Sequence, residues 1–440
     1  MTDGTPVTLK LLLDAREARA ARQQELLGQY GGALVCLTVN MPGPVKRCAL
    51  SDRLFTLGAR AVSRALDCVR FSELRQTPAG CEGFWCVPVP PFPAKRALCR
   101  LEESHPLGRL WDIDVLGSDG VPVSRRALGL TTRSCLLCGR PAVLCARSRA
   151  HPLPDLLDAM RQMLTRWESA CIGALARRAL EDEVRVTPKP GLVDAVSAGA
   201  HTDMDIGTFL ASAQALEKHF VHFAAMGMNS DDLAPRTLFD GLRRPGMDAE
   251  RDMLAATGGV NTHKGAIFSL GILCAAAGRQ LSLGGALTAD ALCALSADMT
   301  RGLCARELPC ETSTHGGQVF QRYGARGVRG EAESGFAAVR EVGLPALRQY
   351  RQSGCNENES RLRALLRLMS CVEDTNLLAR RGPEQAAWVR KQAIALANRF
   401  SLDSVRRLDA EMTRRGLSPG GCADLLAVTI FLDALERAEQ

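Results

Sequence analysis

The sequence predicts two parts of unlike character: a mixed α and β part up to about residue 155, then an all-α helical bundle. Two observations carry this. Before residue 155, runs with helical spacing are interrupted by short β-rich segments. Beyond it, long Ala/Leu/Arg stretches recur at helical spacing, and almost nothing between them alternates as a strand does. The join falls between Arg161 and Glu168, giving domains of 1–163 and 164–440.

In order, residues 12–30 have helical spacing, and 32–44 form a β-rich run closed by Pro42, Gly43 and Pro44. Residues 54–66 are helical again, and 109–125 combine a strand with a Ser-Asp-Gly turn. Helices are expected at 156–184, 206–226, 265–279, 285–302, 361–381, 384–400, 402–415 and 421–438, with the chemistry in the Gly-, His-, Asp- and Asn-bearing loops between them. No repeat of solenoid period is present.

The 440 residues are 46% hydrophobic and 23% charged, which excludes a disordered or low-complexity chain. Aromatics make up 5%, so aliphatic and Ala packing must fill the core. The longest run without a charge or a strong break, Gly265 to Gly278, is shorter than the roughly 20 residues a bilayer requires, so no membrane span is expected. The N-terminus lacks a secretory apolar region, and the expected location is the cytoplasm. A net charge of +7 is too thin to argue for nucleic acid; it favours a polyphosphate substrate or an acidic protein partner. Of the seven lysines, Lys46, Lys189 and Lys264 sit in Pro- or Gly-rich turns, where a compact ammonium suits a built site.

Seventeen cysteines without a secretory signal read as small buried hydrophobes in a reducing compartment. Cys135, Cys138, Cys145 and His151 have a spacing that could close a tetrahedral zinc site. Their pairs are closer than in common finger patterns, so the reading favoured here is plain thiols.

In the first part, Asp112 and Asp114 alternate with Trp111, Ile113 and Val115. On a strand both carboxylates project from one face about 6–7 Å apart. Such a pair can share divalent cations, as phosphoryl or nucleotidyl transfer requires; the alternative is a solvated outer strand face. Arg109, Arg125, Arg126 and Arg133 flank the pair and could hold a triphosphate. NMPGPVK (40–46), GRLWDIDVL (108–116), SRRALGL (124–130) and CLLC with CARSRAH (135–151) together resemble the apo-citrate lyase phosphoribosyl-dephospho-CoA transferase family over residues 8–160. The resemblance implies an α+β, nucleotidyltransferase-like domain that attaches a prosthetic group to a serine of the citrate lyase acyl carrier protein and releases diphosphate. It makes Asp112 and Asp114 the catalytic, metal-holding pair. Arg109, Arg125 and Arg133 become substrate contacts, with Arg16, Asn40 and Lys46 as lesser candidates. Thr131 and Thr132 stand where the family has prolines.

In the second part, VTPKPGLVD (186–194) presents Lys189 and Asp194 on a loop stiffened by two prolines. HTDMD (201–205) places His201, Asp203 and Asp205 at spacing two, on one side of an extended loop, although Asp205 is equally suited to cap the next helix. GGVNTHKGAIFSLG (258–271) opens a helix with Asn261, His263 and Lys264, a seat for phosphates. THGG (314–317) carries His315, and GARGVRGEAESGF (324–336) carries Arg326, Arg329 and Glu331 in a glycine-rich loop. DTN (374–376) and SPGGCADLLA (418–427) add Asp374, Asn376 and Asp424 as oxygen donors for a hard cation.

In that order these motifs resemble triphosphoribosyl-dephospho-CoA synthase over residues 168–438. One departure is ARRGP (379–383), with Pro383 where a second glycine is expected; the roles of Arg380 and Arg381 stay open. The resemblance implies that the ribose 2′-hydroxyl of 3′-dephospho-CoA attacks the anomeric carbon of ATP and displaces adenine. Under it, Lys189, Lys264 and Arg326 hold the triphosphate with magnesium, while His201, Asp203 or His263 moves protons. Asn261, His315 and Glu331 contact substrate, and Asp194, Asp205, Asp374 and Asn376 ligate metal. The expected protein is thus a bifunctional transferase with ATP, dephospho-CoA and a carrier protein as partners, but neither nucleic acid nor membrane. Rival readings are the same chemistry serving malonate decarboxylase, and a nucleotide-binding regulatory protein without turnover.

Overall fold

Strand β1 (Ala33–Val39) is the most apolar strand of the first part, and its first five side chains are buried. It lies inside a four-stranded, wholly antiparallel sheet of order β2-β3-β1-β4, with β2 at Phe71–Thr77, β3 at Gly80–Val87 and β4 at Trp111–Leu116. Pairing of β1 with β4 sets Thr38 opposite Asp112 and Cys36 opposite Asp114. Helices α1 (Leu9–Tyr30), α2 (Ala49–Ala65), α3 (Pro91–Ser104) and α4 (Ala142–Ser148) complete this part. α2 turns Leu50, Leu54, Phe55, Ala59 and Val62 inward, and the Trp111 indole donates to the Leu54 carbonyl at 2.9 Å, tying β4 to that helix.

The computed structural model describes residues 4–310 and 314–439. The chain forms two compact units, Met1–Trp167 and Glu168–Gln440, with the division inside α5 (Leu153–Val184). The second unit is helical: α6 (Ile206–Met228), α7 (Pro235–Ala256), α8 (Lys264–Ser282), α9 (Ala289–Thr300), α10 (Leu303–Glu307), α11 (His315–Tyr323), α12 (Gly327–Glu333), α13 (Leu344–Gln352), α14 (Glu357–Cys371), α15 (Thr375–Asn398), α16 (Leu402–Arg415) and α17 (Gly420–Glu439).

α8 is its axis, with fifteen of nineteen residues buried. By length and composition it is the one described helix apolar enough to cross a membrane, and 83% of that stretch is buried in the protein. Its tight partner is α6. A Cβ at Gly227 would lie 2.0 Å from the Ala275 carbonyl, and one at Gly278 would lie 2.0 Å from the Ala224 carbonyl, so small residues let the two backbones touch.

Several elements differ from the sequence expectation. β2, β3, α3 and α7 were not read, because Pro91 and Pro93 mask the start of α3 and Pro245 lies inside α7 between Gly241 and Gly246. The run 361–381 is two helices: the backbone extends at Val372, and Asp374 caps a new start at Thr375. The expected break before 384 is present: α15 is two helical stretches separated at Gly382, whose backbone is non-helical (φ 76°, ψ 179°), with Pro383 opening the second. The glycine-rich segment 324–336 is largely the helix α12, not a loop, and Arg326 stands at its N-cap.

Gly278→Ala forces backbone apart from backbone and is expected to cost about 1–3 kcal/mol or more. Urea unfolding followed by helical circular dichroism measures this; an unchanged midpoint would contradict the close packing of α6 on α8.

Candidate functional sites

In the first unit the chemistry is organised from beneath by Glu102. Burial pushes its carboxyl above the ordinary range, and the Arg133, Lys95 and Arg125 charges pull it back. Oε1 accepts the Ile113 N–H at 3.2 Å and a bond from Arg133, while Oε2 accepts Arg125 at 3.0 Å. Ile113 lies between the two aspartates, so Glu102 fixes the strand on which they stand. Arg133 then reaches Asp112 Oδ1 at 3.4 Å and the Trp111 carbonyl at 2.9 Å. Buried Lys95 bonds the Ile113 carbonyl and lies 4.0 Å from Asp114 Oδ1. Partial withdrawal from water, then the Asp112 charge, pushes the Asp114 carboxyl up, although its side chain keeps an exposed edge. Two carboxylates sharing one strand face, with cations at their flank, are donors of the kind that a hard divalent cation takes.

The other first-unit candidates are more scattered. Arg109 donates to the Ser134 carbonyl at 2.7 Å, and Arg125 approaches the aspartates only through Glu102. Lys46 donates to the Met41 carbonyl at 2.6 Å, and burial followed by the Arg16 charge lowers its pKa. Asn40 is exposed, its backbone N–H bonded to the Leu110 carbonyl, and Arg126 is exposed in a short 3-10 turn.

In the second unit a cavity of about 1400 Å³ gathers residues from every motif segment of that part. Lys189, His201, Asp203, Asn261, His263 and Lys264 line it. So do Arg326, Glu331, Asp374, Asn376, Arg380 and Asp424. Lys189 is 1% exposed and bonds Glu183 at 2.6 Å, so its charge is already compensated by a partner. His201 bonds the Ser418 hydroxyl through Nε2 at 2.9 Å, with Asp203 3.8 Å from Nδ1. Burial, then the Arg380 charge, lowers the His201 pKa and keeps the ring neutral. His263 bonds Ser212 through Nδ1 at 2.7 Å, while its buried Nε2 has no hydrogen-bond partner among the described residues. Burial, and next the Lys189 charge, pushes its pKa down to about 3.

Helix capping accounts for several polar residues here. Asn261 Oδ1 accepts the Lys264 N–H at 3.2 Å, and Lys264 itself pairs with Glu250 at 2.9 Å. Asp374 accepts the N–H groups of Asn376, Leu377 and Cys422, at 2.9, 3.2 and 2.9 Å. Burial, then Glu183 and Asp374, pushes the Asp424 carboxyl well above its ordinary range. Burial raises Glu331 as well, and its Oε2 accepts the Ala338 N–H at 3.3 Å.

The expected metal set does not assemble as a group. Asp205 caps α6, accepting the Thr208 N–H at 2.9 Å, and is not among the lining residues. Asp194 is buried behind the cavity and spends its oxygens on the N–H groups of Lys189, Val196 and Ser197. Asp374 and Asn376 remain at the wall. His315 opens α11, and its side chain lies outside the described residues. Arg381 turns towards Gly416, whereas Arg380 faces the cavity.

Sequence reasoning missed Glu183, Glu102, Lys95 and Ser418. A signal was there for three of them: Glu183 falls three, four and seven residues after buried Leu180, Ala179 and Ala176, and Lys95 and Glu102 share a helix face with Leu98 and Cys99. A charge on an apolar helix face requires a buried partner.

The family model for ATP:dephospho-CoA triphosphoribosyl transferase (CitG) matches residues 169–440, and that for apo-citrate lyase phosphoribosyl-dephospho-CoA transferase (CitX) matches 7–167. Protein CitXG of Haemophilus influenzae is 38% identical over 98% of this chain and 97% of its own. Protein CitXG of Leuconostoc mesenteroides subsp. cremoris is 33% identical over 98% of each. The 2-(5''-triphosphoribosyl)-3'-dephosphocoenzyme-A synthase of Klebsiella pneumoniae is 44% identical over 58% of this chain and 88% of its own.

His263 yields a pH test. An unfolded histidine takes a proton near 6.5 and the folded one only near 3, so its contribution to stability is complete above pH 6.5 and is lost as pH falls between those values. The slope from this group is up to about 1.4 kcal/mol per pH unit. In urea unfolding, His263→Gln should lose less stability than wild type on going from about pH 7 to about pH 5. Parallel losses would mean that His263 is not held neutral.

Proposed function

Because the chain belongs to the CitXG family, we propose that its second unit makes 2′-(5″-triphosphoribosyl)-3′-dephospho-CoA and its first unit attaches that group to citrate lyase. The observation that carries this reading is the single cavity on which the separated motifs of the second unit meet. Its volume of about 1400 Å³ exceeds the roughly 300–1,000 Å³ of a pocket for one drug-sized ligand, which suits two nucleotide substrates held together.

In the synthase reaction the 2′-oxygen of dephospho-CoA forms a bond to C1′ of ATP as the C1′–N9 bond to adenine breaks. The hydroxyl proton passes to a base, and adenine leaves with a proton. Neutral His201, steadied by Ser418 and facing Asp203, is suited to take the hydroxyl proton. The unpartnered Nε2 of His263 is a polar group for the substrates. Lys264, Arg326 and Arg380 are the cations for the triphosphate.

Magnesium fits this wall. Eight acidic side chains line the cavity among six basic ones, so a bare triphosphate would meet carboxyl groups as well as cations. The raised Asp424 carboxyl, crowded by Glu183 and Asp374, marks where positive charge is lacking, and Asp424 and Asp374 would hold the ion. Bound there, magnesium would neutralise the triphosphate.

In the first unit a serine hydroxyl of the carrier protein attacks the phosphorus next to the ribose, and diphosphate leaves. Arg133 and Lys95 are suited to the transferring group, and Asp112 with Asp114 to a magnesium ion carried by it. The partner is the acyl carrier subunit of citrate lyase.

Two assays test the division of labour on the full chain. Asp203→Asn should slow adenine release from ATP and dephospho-CoA by roughly 10²-fold or more; a near-normal rate would remove Asp203 from the mechanism. Asp112→Asn should abolish diphosphate release with carrier protein present while adenine release continues, and loss of both would contradict independent sites. Running the second assay with citrate lyase and malonate decarboxylase carrier proteins in parallel decides the partner.

A further inference from the structure

Residues 131–151 form a segment with almost no core of its own. Cys145 is its only buried residue, while Leu137, Val143 and Leu144 are exposed. Hydrophobic burial therefore supplies little to hold its shape. The chain nevertheless folds back on itself twice. Cys135 N–H bonds the Arg140 carbonyl at 2.7 Å and Ala142 N–H bonds the Arg133 carbonyl at 2.9 Å, closing a knuckle around Cys138. After α4, Arg149 adopts a positive φ of 48°, and Ala150 N–H returns to the Cys145 carbonyl at 3.0 Å, bringing His151 back to the knuckle.

Both reversals deliver the same kind of atom to the same place. The sulfurs of Cys135, Cys138 and Cys145 and a ring nitrogen of His151 all lie within 4.8 Å of one another. Cys138 Sγ is 3.6 Å from Cys145 Sγ and 3.5 Å from His151 Nε2. Four ligands around zinc, with Zn–S of about 2.3 Å and Zn–N of about 2.0–2.1 Å at tetrahedral angles, stand about 3.8 Å apart sulfur to sulfur and about 3.6 Å sulfur to nitrogen. Both of these separations agree with a shared tetrahedral ion to within about 0.2 Å. A disulfide explains less: its sulfurs stand about 2.05 Å apart, and it would use two of the four groups. Arg140 bonds the Cys138 sulfur from both backbone and side chain, the outer support that a ligating thiolate receives.

We propose that Cys135, Cys138, Cys145 and His151 bind one structural zinc ion. Four protein ligands close the tetrahedron, leaving no position for a water or substrate, so the ion has no catalytic part. Its work is mechanical. Ser134, whose carbonyl holds Arg109, and Arg133, which reaches Asp112, directly precede the first ligand. Zinc therefore clamps the segment that presents Arg133 to Asp112 and holds Arg109 through the Ser134 carbonyl. The binding claim depends only on these four residues and not on the reaction assigned to either unit.

The test uses the full chain purified under reducing conditions from zinc-supplemented medium. Metal analysis should find about one zinc per chain, and replacement by Co²⁺ should give the thiolate charge-transfer and intense visible bands of a tetrahedral site. Cys138→Ser and His151→Ala should each lower zinc content several-fold, with adenine release by the second unit unchanged. Chelation of wild type should expose residues 131–151 to limited proteolysis, and zinc should restore protection. Zinc well below stoichiometric, or a Co²⁺ spectrum without sulfur ligation, overturns the site without any variant having to fold. A zinc-loaded chain equally resistant to protease with and without metal overturns the clamp.

Discussion

Lys189 and Glu183 meet at 2.6 Å, almost wholly out of water. Neither charge could stand there alone: removing one partner of such a pair costs about 3–5 kcal/mol, because the other is left buried and uncompensated. The pair joins the end of α5 to the loop 186–194, and the loop is then shaped from within by Asp194, whose oxygens take three backbone N–H groups. Held in this way, the loop forms one wall of the cavity. The same ammonium helps to keep His263 uncharged across the ring that faces it. One buried ion pair therefore sets the position of a loop and adds to the burial that keeps a neighbouring histidine neutral.

The first unit meets the same constraint with another residue. Glu102 is buried under β4 and satisfied by Arg125, Arg133 and the Ile113 N–H. Since the N–H belongs to the residue between Asp112 and Asp114, and Arg133 continues to Asp112, neutralising Glu102 also orients the pair above it. In both units a charge on the apolar face of a helix is the foundation, and the motif residues are arranged on top of it.

Many motif positions serve two ends. Asp374 and Asn261 cap helices, and those helix starts face the cavity. A helix N-terminus needs a polar cap and carries partial positive charge, so the residue that ends a loop well is also the residue nearest to an incoming anion. This is why capping and ligand-binding readings of the same Asn or Asp were hard to separate along the chain. Asp205 shows the other outcome: it caps α6 and stays away from the cavity.

The order of elements was legible where local physics decides it. Helical spacing alone marked 206–226, 402–415 and 421–438 close to the bounds of α6, α16 and α17, and alternation in WDIDVL placed two carboxylates on one face of β4. Composition likewise set an Ala- and Leu-rich interior, and α8 fills it. What the sequence could not decide is which polar groups meet across hundreds of residues. His201 finds Ser418, Glu183 finds Lys189 behind a turn, and Asp194 binds backbone N–H groups without lining the cavity. Those outcomes depend on burial, which makes an unpaired charge costly only once the chain has closed around it; before folding, water solvates every candidate equally.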